Sequence, residues 1–579
     1  MREPTRPLPS LVPLPNGGWA VDSFMSSVDY TIRGLGLVPP NSIIPVIVVP
    51  GIMGTNLRAK RAPRLGRKED ERNKMVGAGD LVWRPPNGKI DGMLDSFHWD
   101  TFSPKERQLL FDPATLEVDD LGPIHLPTAE DGYVLSEAEV RQRGWGEVHA
   151  DSYGRLLAEL QTRLNQTFEF DDSSKRRLIR QHWKDIMAYD PKKWGVREFT
   201  ALTESDLEKH ARNYFPVYAV GYNWLLDCDV SSRSLEQRII SIIESWKRAK
   251  RQCDKVVLIT HSMGGLVARA CARRIPEKIA GIVHGVMPAM GAPVAYRRIA
   301  CGVESGSPGN GPAKNLEASR LAKILGSSTE VTTPVLAASA GALELLPNHL
   351  YPQPWLHIRI IKATGMVRVA GRGAHDDVMR EKETALDYIH LPNARTPNPY
   401  DLYRDFKSWY RLINPALADP AKKYQLQPGG IEEAVRKAVG IAEKFHRELG
   451  EYFHPNTYAF YGDDQSQFSY GHVRWTARQT SGSTGALTPS NVTVGKFIGH
   501  TAAGERRVLV EGKTELRFST DAQDSRGDGT VPSLSGAGVT GKVKKAFPTR
   551  GHDHQFSFTS NDALMLTLRL IVQISQEMA

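Results

Sequence analysis

One short stretch of the sequence constrains the fold more than any other. Residues 256–270 read "VVLITHSMGGLVARA". The run before Thr260 is apolar and rich in β-branched residues, which favours a strand buried on both faces of a sheet. The residues from Gly264 onward have a small-residue helical pattern. The stretch therefore predicts a strand, a sharp turn at Ser262 and a helix.

The neighbouring segments extend this unit into a parallel sheet. Further core strands are predicted by the apolar runs "IIPVIVVPG", "YFPVYAVGYNW" and "AGIVHGVMPAMGAP". Between the second run and Val256, apolar residues recur at helical spacing over 235–246. Strands that alternate with helices are typical of an α/β fold with a parallel sheet.

The chain divides by composition into a core and two insertions. Residues 1–40 are predicted to be an irregular N-terminal arm, and 41–299 the first part of the core, with a polar insertion at about 60–147. A Gly/Ser/Pro-rich stretch then opens a second insertion. Helical patterns predict a cap or lid over 300–453, and the core resumes over 454–579.

The charge balance favours anionic partners without naming one. The net charge is +9 and the isoelectric point is near 9.1. Such an excess suits nucleic acid or phospholipid surfaces, although diffuse charge is more often a solvated exterior. The four cysteines show no C-x-x-C spacing, so neither a zinc ribbon nor a disulfide framework is expected.

Targeting signals and membrane spans are also not expected. The proline-rich N-terminus lacks the apolar region of a signal peptide, which predicts synthesis in the cytoplasm without Sec export. The longest apolar runs are shorter than the roughly 20 residues that a spanning helix needs. The sequence therefore predicts a soluble protein.

Ser262 stands where a hydrolase nucleophile would stand. In the G-x-S-x-G turn between a strand and a helix, the tight elbow raises the serine hydroxyl above the sheet, and the residues two positions away on either side must be small. Gly264 supplies the second glycine, but Thr260 occupies the position of the first, so the match is T-x-S-x-G. Serine also favours helix N-caps, and that reading stays open on the motif alone.

An acyl-transfer site also needs two backbone N–H groups for the oxyanion. The residue after the serine, Met263, would provide one. The turn "VVPGIMG" after the first core strand contains Gly51, and the N–H of Ile52 is the natural second donor. The same turn could simply end a strand.

The acid and the base should follow the serine in that order. "RGDGTVPSLS" places Asp528 in a tight glycine turn, where it could also be an ordinary turn aspartate. "RGHDHQFSF" supplies His552 and His554 as candidate bases. A lone H-x-H could be half a metal site, but no carboxylate or cysteine cluster accompanies it, so neither a metal nor another cofactor is expected.

Taken together, these motifs resemble a known family. "VVPGIMGTNLRAK", "VGYNWLLD", "ITHSMGGLVAR", "GALELLPNHLYPQPW", "GDGTVPSLS" and "HDHQFSF" stand in the order found in hydrolases similar to lecithin:cholesterol acyltransferase and lysosomal phospholipase. The resemblance implies an α/β-hydrolase core with a central, mostly parallel sheet and large, mainly helical cap or lid insertions. It also implies a Ser262, Asp528 and His554 triad.

The departures from the secreted members of that family point to a narrower group. The long polar insertion, the basic balance, and the lack of a signal peptide or disulfide pattern resemble antibacterial phospholipase effectors of type VI secretion, of the TplE type. That resemblance implies contact with spike components of the secretion machinery and delivery into a rival cell's periplasm. It further implies hydrolysis of membrane phospholipids there, and a cognate immunity protein that occludes the active site. No nucleic-acid partner is implied.

The choice between the two histidines rests on this resemblance. In the related hydrolases the base stands directly before a loop and a closing helix, and His554 precedes "QFSFTSNDALMLTLRL". His554 is therefore the predicted base, and His552 the alternative, with a supporting or surface role. The apolar stretch "PVLAASAGALELLP" could line a groove for acyl chains or could be packed core.

Three other functions stay open at the level of sequence. An acyltransferase or a carboxylesterase of the same fold would use the same residues, and a binding module on an inactive hydrolase scaffold would use none of them. A nucleotide-binding reading of "RVLVEGKT" fails, because a P-loop requires glycine where Arg507 stands.

Overall fold

The computed structural model describes most of the chain. It covers residues 11–13, 19–21, 40–60, 75–84, 99, 101–126, 135–171, 176–304, 319, 322–352, 354–370, 377–479, 487–501 and 504–578. The predicted N-terminal arm lies mostly outside the described residues, and its two described pieces pair as a small antiparallel ribbon.

The strands are numbered in chain order. They are β1 (Leu11–Pro13), β2 (Trp19–Val21), β3 (Ser42–Ile43), β4 (Val46–Val49), β5 (Leu57–Ala59), β6 (Leu81–Trp83), β7 (Leu116–Val118), β8 (Phe168–Asp171), β9 (Arg176–Ile179), β10 (Asn213–Tyr214), β11 (Val217–Ala219), β12 (Val256–His261), β13 (Ile279–Gly285), β14 (Leu356–Ala370), β15 (Asp377–Leu391), β16 (Thr457–Gly462), β17 (Asp464–Ser469), β18 (Val473–Gln479), β19 (Lys496–His500), β20 (Arg506–Val510), β21 (Thr514–Thr520), β22 (Ser525–Gly527) and β23 (Lys545–Thr549).

The described α-helices are referred to by their bounds. They are Pro104–Leu110, Glu137–Gln142, Ala150–Asn165, Gln181–Met187, Glu204–His210, Cys228–Arg248, Gly264–Arg274, Pro293–Cys301, Thr329–Leu336, Ala340–Leu343, Pro399–Tyr403, Pro415–Ala418, Gly430–Leu449, Pro489–Thr493, Ser533–Gly536 and Asn561–Gln576.

The predicted parallel sheet forms the centre of the molecule. Its six strands lie in the order β11-β4-β12-β13-β16-β23, and every neighbouring pair is parallel. All residues of β4, β12 and β13 are buried, as expected for strands covered on both faces. The helices Gly264–Arg274 and Asn561–Gln576 both pack on β12 and β13. Because the strands are parallel, their carboxyl ends meet at one edge of the sheet.

The second insertion contains a hairpin that the sequence analysis did not predict. β14 and β15 pair along their whole length, and β14 continues through β18 into a second six-stranded sheet of order β15-β14-β18-β21-β20-β19. This sheet joins strands from both sides of residue 453. The predicted boundary between the cap and the second part of the core therefore does not separate two sheets. Charged residues such as those of "REKE" in β15 interrupt the apolar alternation by which a strand is recognised.

The first insertion is also more ordered than its loop-like composition suggested. β5, β6 and β7 form an antiparallel sheet whose outer strands come from residues 60–147. Trp83 of β6 packs edge-on against Trp224, and its indole N–H donates to the carbonyl of Met53 at 2.8 Å. The insertion therefore braces the turn that follows β4.

In the described part of the chain, no helix combines the length and the apolarity that crossing a bilayer would require.

Several histidines are buried among the described residues, and four of them combine a hydrogen bond to a neighbouring polar group with a strongly lowered pKa. They are His210, His261, His284 and His446. Burial lowers the pKa of His210 and His446 to about 4 and that of His261 and His284 to about 3. These imidazoles are therefore neutral in the folded protein at neutral pH.

The buried histidines predict a loss of stability on mild acidification. The unfolded chain takes up protons near the ordinary histidine pKa of about 6.5, whereas the folded chain does not until a lower pH. The histidine contribution is complete above about pH 6.5, and each site costs at most about 1.4 kcal/mol per pH unit as the pH falls below that value. Thermal melts should show a lower Tm at pH 5 than at pH 7. A Tm that is constant or higher at pH 5 would contradict these assignments.

Candidate active site

Ser262 lies at the sharp turn between β12 and the helix Gly264–Arg274. Its φ angle is 52°, a left-handed conformation that is strained for a residue with a side chain. Its N–H donates to the carbonyl of Gly285 at 2.9 Å, and its carbonyl accepts from Gly265 at 2.9 Å. The N-cap position of the helix belongs to Met263, so the alternative in which Ser262 caps the helix does not hold.

The small residue two positions after the serine is required by backbone packing. A Cβ atom on Gly264 would lie 2.4 Å from the carbonyl oxygen of Pro50 and 2.5 Å from that of Val49. Only glycine lets the helix begin so close to the end of β4. At the other glycine position of the motif, the Thr260 hydroxyl forms a hydrogen bond of 2.7 Å with Nδ1 of His284 in β13. The neighbouring strand thus accommodates the threonine.

The structure brings three of the predicted site residues into one hydrogen-bonded row. His554 Nε2 lies 2.8 Å from Ser262 Oγ, and His554 Nδ1 lies 2.8 Å from Asp528 Oδ2. The other carboxylate oxygen of Asp528 accepts from the N–H groups of Thr530 and Val531, at 3.0 and 2.7 Å. Since a carboxylate only accepts, Nδ1 of His554 carries the proton and Nε2 is free to accept the serine proton.

Asp528 is held in its ionised form although it is buried. Burial raises the pKa of its carboxyl, but the charge and hydrogen bond of His554 and the two backbone N–H donors outweigh that effect. The net pKa shift of Asp528 is downward. The side chain is 1% exposed, so its charge acts on His554 with little screening by water.

The second candidate histidine faces away from the serine. His552 Nε2 lies 2.8 Å from the hydroxyl of Thr549, and Nδ1 lies 3.2 Å from the carbonyl of Asp553. The residue is buried, so of its two expected roles only the supporting one fits, not the surface one. Of the two histidines, the structure places His554 against Ser262.

The expected oxyanion donors belong to the residue after the serine and to the turn that contacts the serine. The N–H groups of Ile52 and Met263 have no hydrogen-bond acceptor among the described residues. A Cβ atom on Gly51 would lie 3.0 Å from Cβ of Ser262, so the turn after β4 is in direct contact with the serine. The Tyr222 hydroxyl donates to the carbonyl of Pro50 at 2.9 Å and helps to fix this turn.

Two polar residues beside the site were missed by the sequence analysis. His261 Nε2 lies 2.8 Å from the carbonyl of His554, and its Nδ1 lies 2.8 Å from the Tyr153 hydroxyl. The N–H of Gly51 donates to the same hydroxyl at 3.0 Å. The adjacency of His261 to Ser262 was a usable signal, whereas Tyr153 is more than a hundred residues away and has no local motif.

The apolar stretch that could have lined an acyl groove is packed core. Leu336, Leu343 and Leu346 are buried, and the Ser339 hydroxyl donates to the carbonyl of Leu225 at 2.8 Å. Within the residues that the structure describes, no group of three or more His, Cys, Asp or Glu side chains is placed to hold a metal ion.

A serine elbow on a parallel sheet, with an aspartate and a histidine reaching it from the same edge, defines the α/β-hydrolase class. The family model of the PGAP1-like alpha/beta domain matches residues 229–303, which span β12, the elbow and β13. The predicted α/β-hydrolase fold with large insertions is confirmed.

Most of the chain is also similar to solved structures. It matches a chain of "The crystal structure of Tle4-Tli4 complex" with a TM-score of 0.68 and 27% sequence identity. The match covers 92% of this chain and 98% of that one, so it extends well beyond the segment that the family model matches. No curated protein matches the chain.

Proposed function

We propose that the protein is a serine-dependent phospholipase that hydrolyses ester bonds of membrane phospholipids. The observation that carries the proposal is the row of Ser262, His554 and Asp528, with both hydrogen bonds at 2.8 Å on a strained elbow. A hydroxyl bonded to an imidazole that is itself oriented by a buried carboxylate is the arrangement of an activated nucleophile.

The proposed reaction follows from these positions. His554 Nε2 takes the proton of Ser262 as its oxygen attacks the ester carbonyl, and Asp528 stabilises the imidazolium. The N–H groups of Ile52 and Met263 hold the tetrahedral oxyanion. His554 then returns the proton to the leaving alcohol, and water hydrolyses the acyl-enzyme by the same steps.

Exposed apolar side chains near the site favour a lipid surface as the substrate. Phe468, Leu534 and Phe556 are 48%, 45% and 38% exposed. Phe468 pairs with Arg526 in the strand just before Asp528, Leu534 lies in the helix Ser533–Gly536 that follows Asp528, and Phe556 is two residues after His554. Isolated exposed apolar residues are common on soluble proteins, but here they occur with a net charge of +9. An anionic bilayer would satisfy both features.

The similarity to a chain crystallised as the Tle4–Tli4 complex supports the effector reading of the sequence. We propose that the protein is an antibacterial toxin, delivered by type VI secretion through its spike components to the periplasm of a target cell. An immunity protein in the producing cell would block the Ser262 site.

The central test is lipid hydrolysis by matched variants. Fatty-acid release from anionic vesicles should fall on the order of a million-fold in Ser262→Ala, because the nucleophile is lost. The rate of fatty-acid release by His554→Ala should fall by a comparable amount, whereas His552→Ala, the matched control, should keep most of its activity. A Ser262→Ala protein with a tenth of the wild-type rate would exclude this nucleophile. Loss of activity in His552→Ala but not in His554→Ala would reverse the two histidines.

A second test addresses the immunity partner. Hydrogen exchange of the protein, alone and with the protein that protects the producing cell, should show new protection in residues 300–453 and around Ser262. Protection is expected there because an occluding partner must cover the entrance between the cap and the elbow. Protection only on segments far from Ser262 would contradict the occlusion model.

A further inference from the structure

A chain of buried hydrogen bonds connects the turn after β4 to the backbone of His554. It runs from the Gly51 N–H to the Tyr153 hydroxyl at 3.0 Å and from that hydroxyl to His261 Nδ1 at 2.8 Å. It continues from His261 Nε2 to the carbonyl of His554 at 2.8 Å. Tyr153 is 2% exposed and His261 is 5% exposed, so water does not compete for these bonds.

Each bond in this chain has only one possible direction. A carbonyl oxygen only accepts, so Nε2 of His261 carries the proton that is shared with His554. Burial and the neighbouring His554 lower the pKa of His261 to about 3, so its ring is neutral and Nδ1 must accept. Tyr153 then donates to Nδ1 and accepts from Gly51.

This row of hydrogen bonds holds two parts of the site at Ser262, the backbone of His554 and the turn that carries Ile52. The backbone of His554 is fixed on two sides, because its N–H donates to the carbonyl of Asp528 at 2.8 Å and its carbonyl accepts from His261. At the other end, Gly51 is the residue directly before Ile52. A displacement of the Gly51 turn would therefore be transmitted to His554, and a displacement of His554 to the turn.

The helix that carries Tyr153 is anchored to the same two loops. At its start, the N–H of His149 donates to the carbonyl of Gly54 at 3.0 Å. Further along the helix, Arg155 donates to the carbonyl of Thr559, in the segment after His554, at 3.3 Å. Tyr153 therefore has a rigid support between the oxyanion turn and the closing loop.

We propose that Tyr153 and His261 are positioning residues, which hold the Ile52 turn and His554 in the mutual geometry that reaction at Ser262 requires. The proposal rests on the proposed serine hydrolysis. Neither side chain is hydrogen-bonded to Ser262 Oγ in the described part of the chain, so both act through the groups that they orient.

The first test removes one oxygen atom. Tyr153→Phe keeps the packed ring but deletes the hydroxyl that Gly51 and His261 share. We expect kcat to fall about 10- to 100-fold, as for other small misplacements of reacting groups, with KM within about twofold of wild type. The control is Tyr351→Phe, which deletes another buried hydroxyl, one that donates to the carbonyl of Gly471 at 2.8 Å. The control should lose comparable thermal stability while keeping its kcat.

The second test asks whether the two residues act as one unit. In His261→Gln the amide nitrogen can still donate to the carbonyl of His554, but the ring acceptor for Tyr153 is gone. The double variant with Tyr153→Phe should therefore be no slower than the slower single variant. Independent, multiplying losses in kcat, or a Tyr153→Phe enzyme within about twofold of wild-type kcat, would overturn the proposal.

The same variants should be followed with a fluorophosphonate, which reacts with an activated serine without any lipid. If the wild-type protein is phosphonylated but hydrolyses no phospholipid, the substrate assignment fails while the positioning role is still measured by the labelling rate. Slower labelling of Tyr153→Phe than of Tyr351→Phe supports the positioning role. Equal rates would contradict it.

Discussion

The site depends on the close approach of two turns at the carboxyl edge of the central sheet. The elbow at Ser262 and the turn after β4 touch because the residues at the contact, Gly51 and Gly264, have no Cβ atom. A methyl group at Gly264 would overlap two backbone carbonyls, which cannot move without shifting β4. The turn that contains Gly51 can contact Ser262 only because both turns pack this closely.

The parallel sheet converts distant parts of the sequence into neighbours. Ser262 follows β12 and Ile52 follows β4, while His554 follows β23 at the far end of the sheet order. Asp528 reaches the same edge by packing against Gly462 at the end of β16. A Cβ atom on Gly462 would lie 2.6 Å from the Cβ atom of Asp528. The strained φ of Ser262 is tolerated because its backbone is bonded on both sides.

Local patterns account for what the sequence could predict. The buried strands, the elbow at Ser262 and the turns at Gly51, Asp528 and His554 are all short motifs, and the structure brings these four residues together. By contrast, the hydrogen bond between Thr260 and His284 joins two strands, and no local sequence pattern predicts such a pair.

The parts that could not be predicted depend on partners far away in the chain. In the sequence, Tyr153 is not distinguished from other helical residues. Its role depends on hydrogen bonds to Gly51 and His261, which only the fold brings near it. The β14–β15 hairpin was missed because its strands carry charged residues, and each strand is recognised mainly by its pairing with the other, which is distant in sequence order along the hairpin. Burial of one face sets the two-residue period by which strands are recognised, and consecutive charged residues such as "REKE" of β15 interrupt that period.

The most direct measurement of the assembled site is a crystal structure of the protein after reaction with a fluorophosphonate. The account predicts a phosphorus atom bonded to Ser262 Oγ, with one phosphoryl oxygen about 2.7–3.1 Å from the backbone nitrogens of both Ile52 and Met263. His554 should remain hydrogen-bonded to Asp528. A phosphonate on another residue, or a phosphoryl oxygen that points away from both nitrogens, would contradict the account.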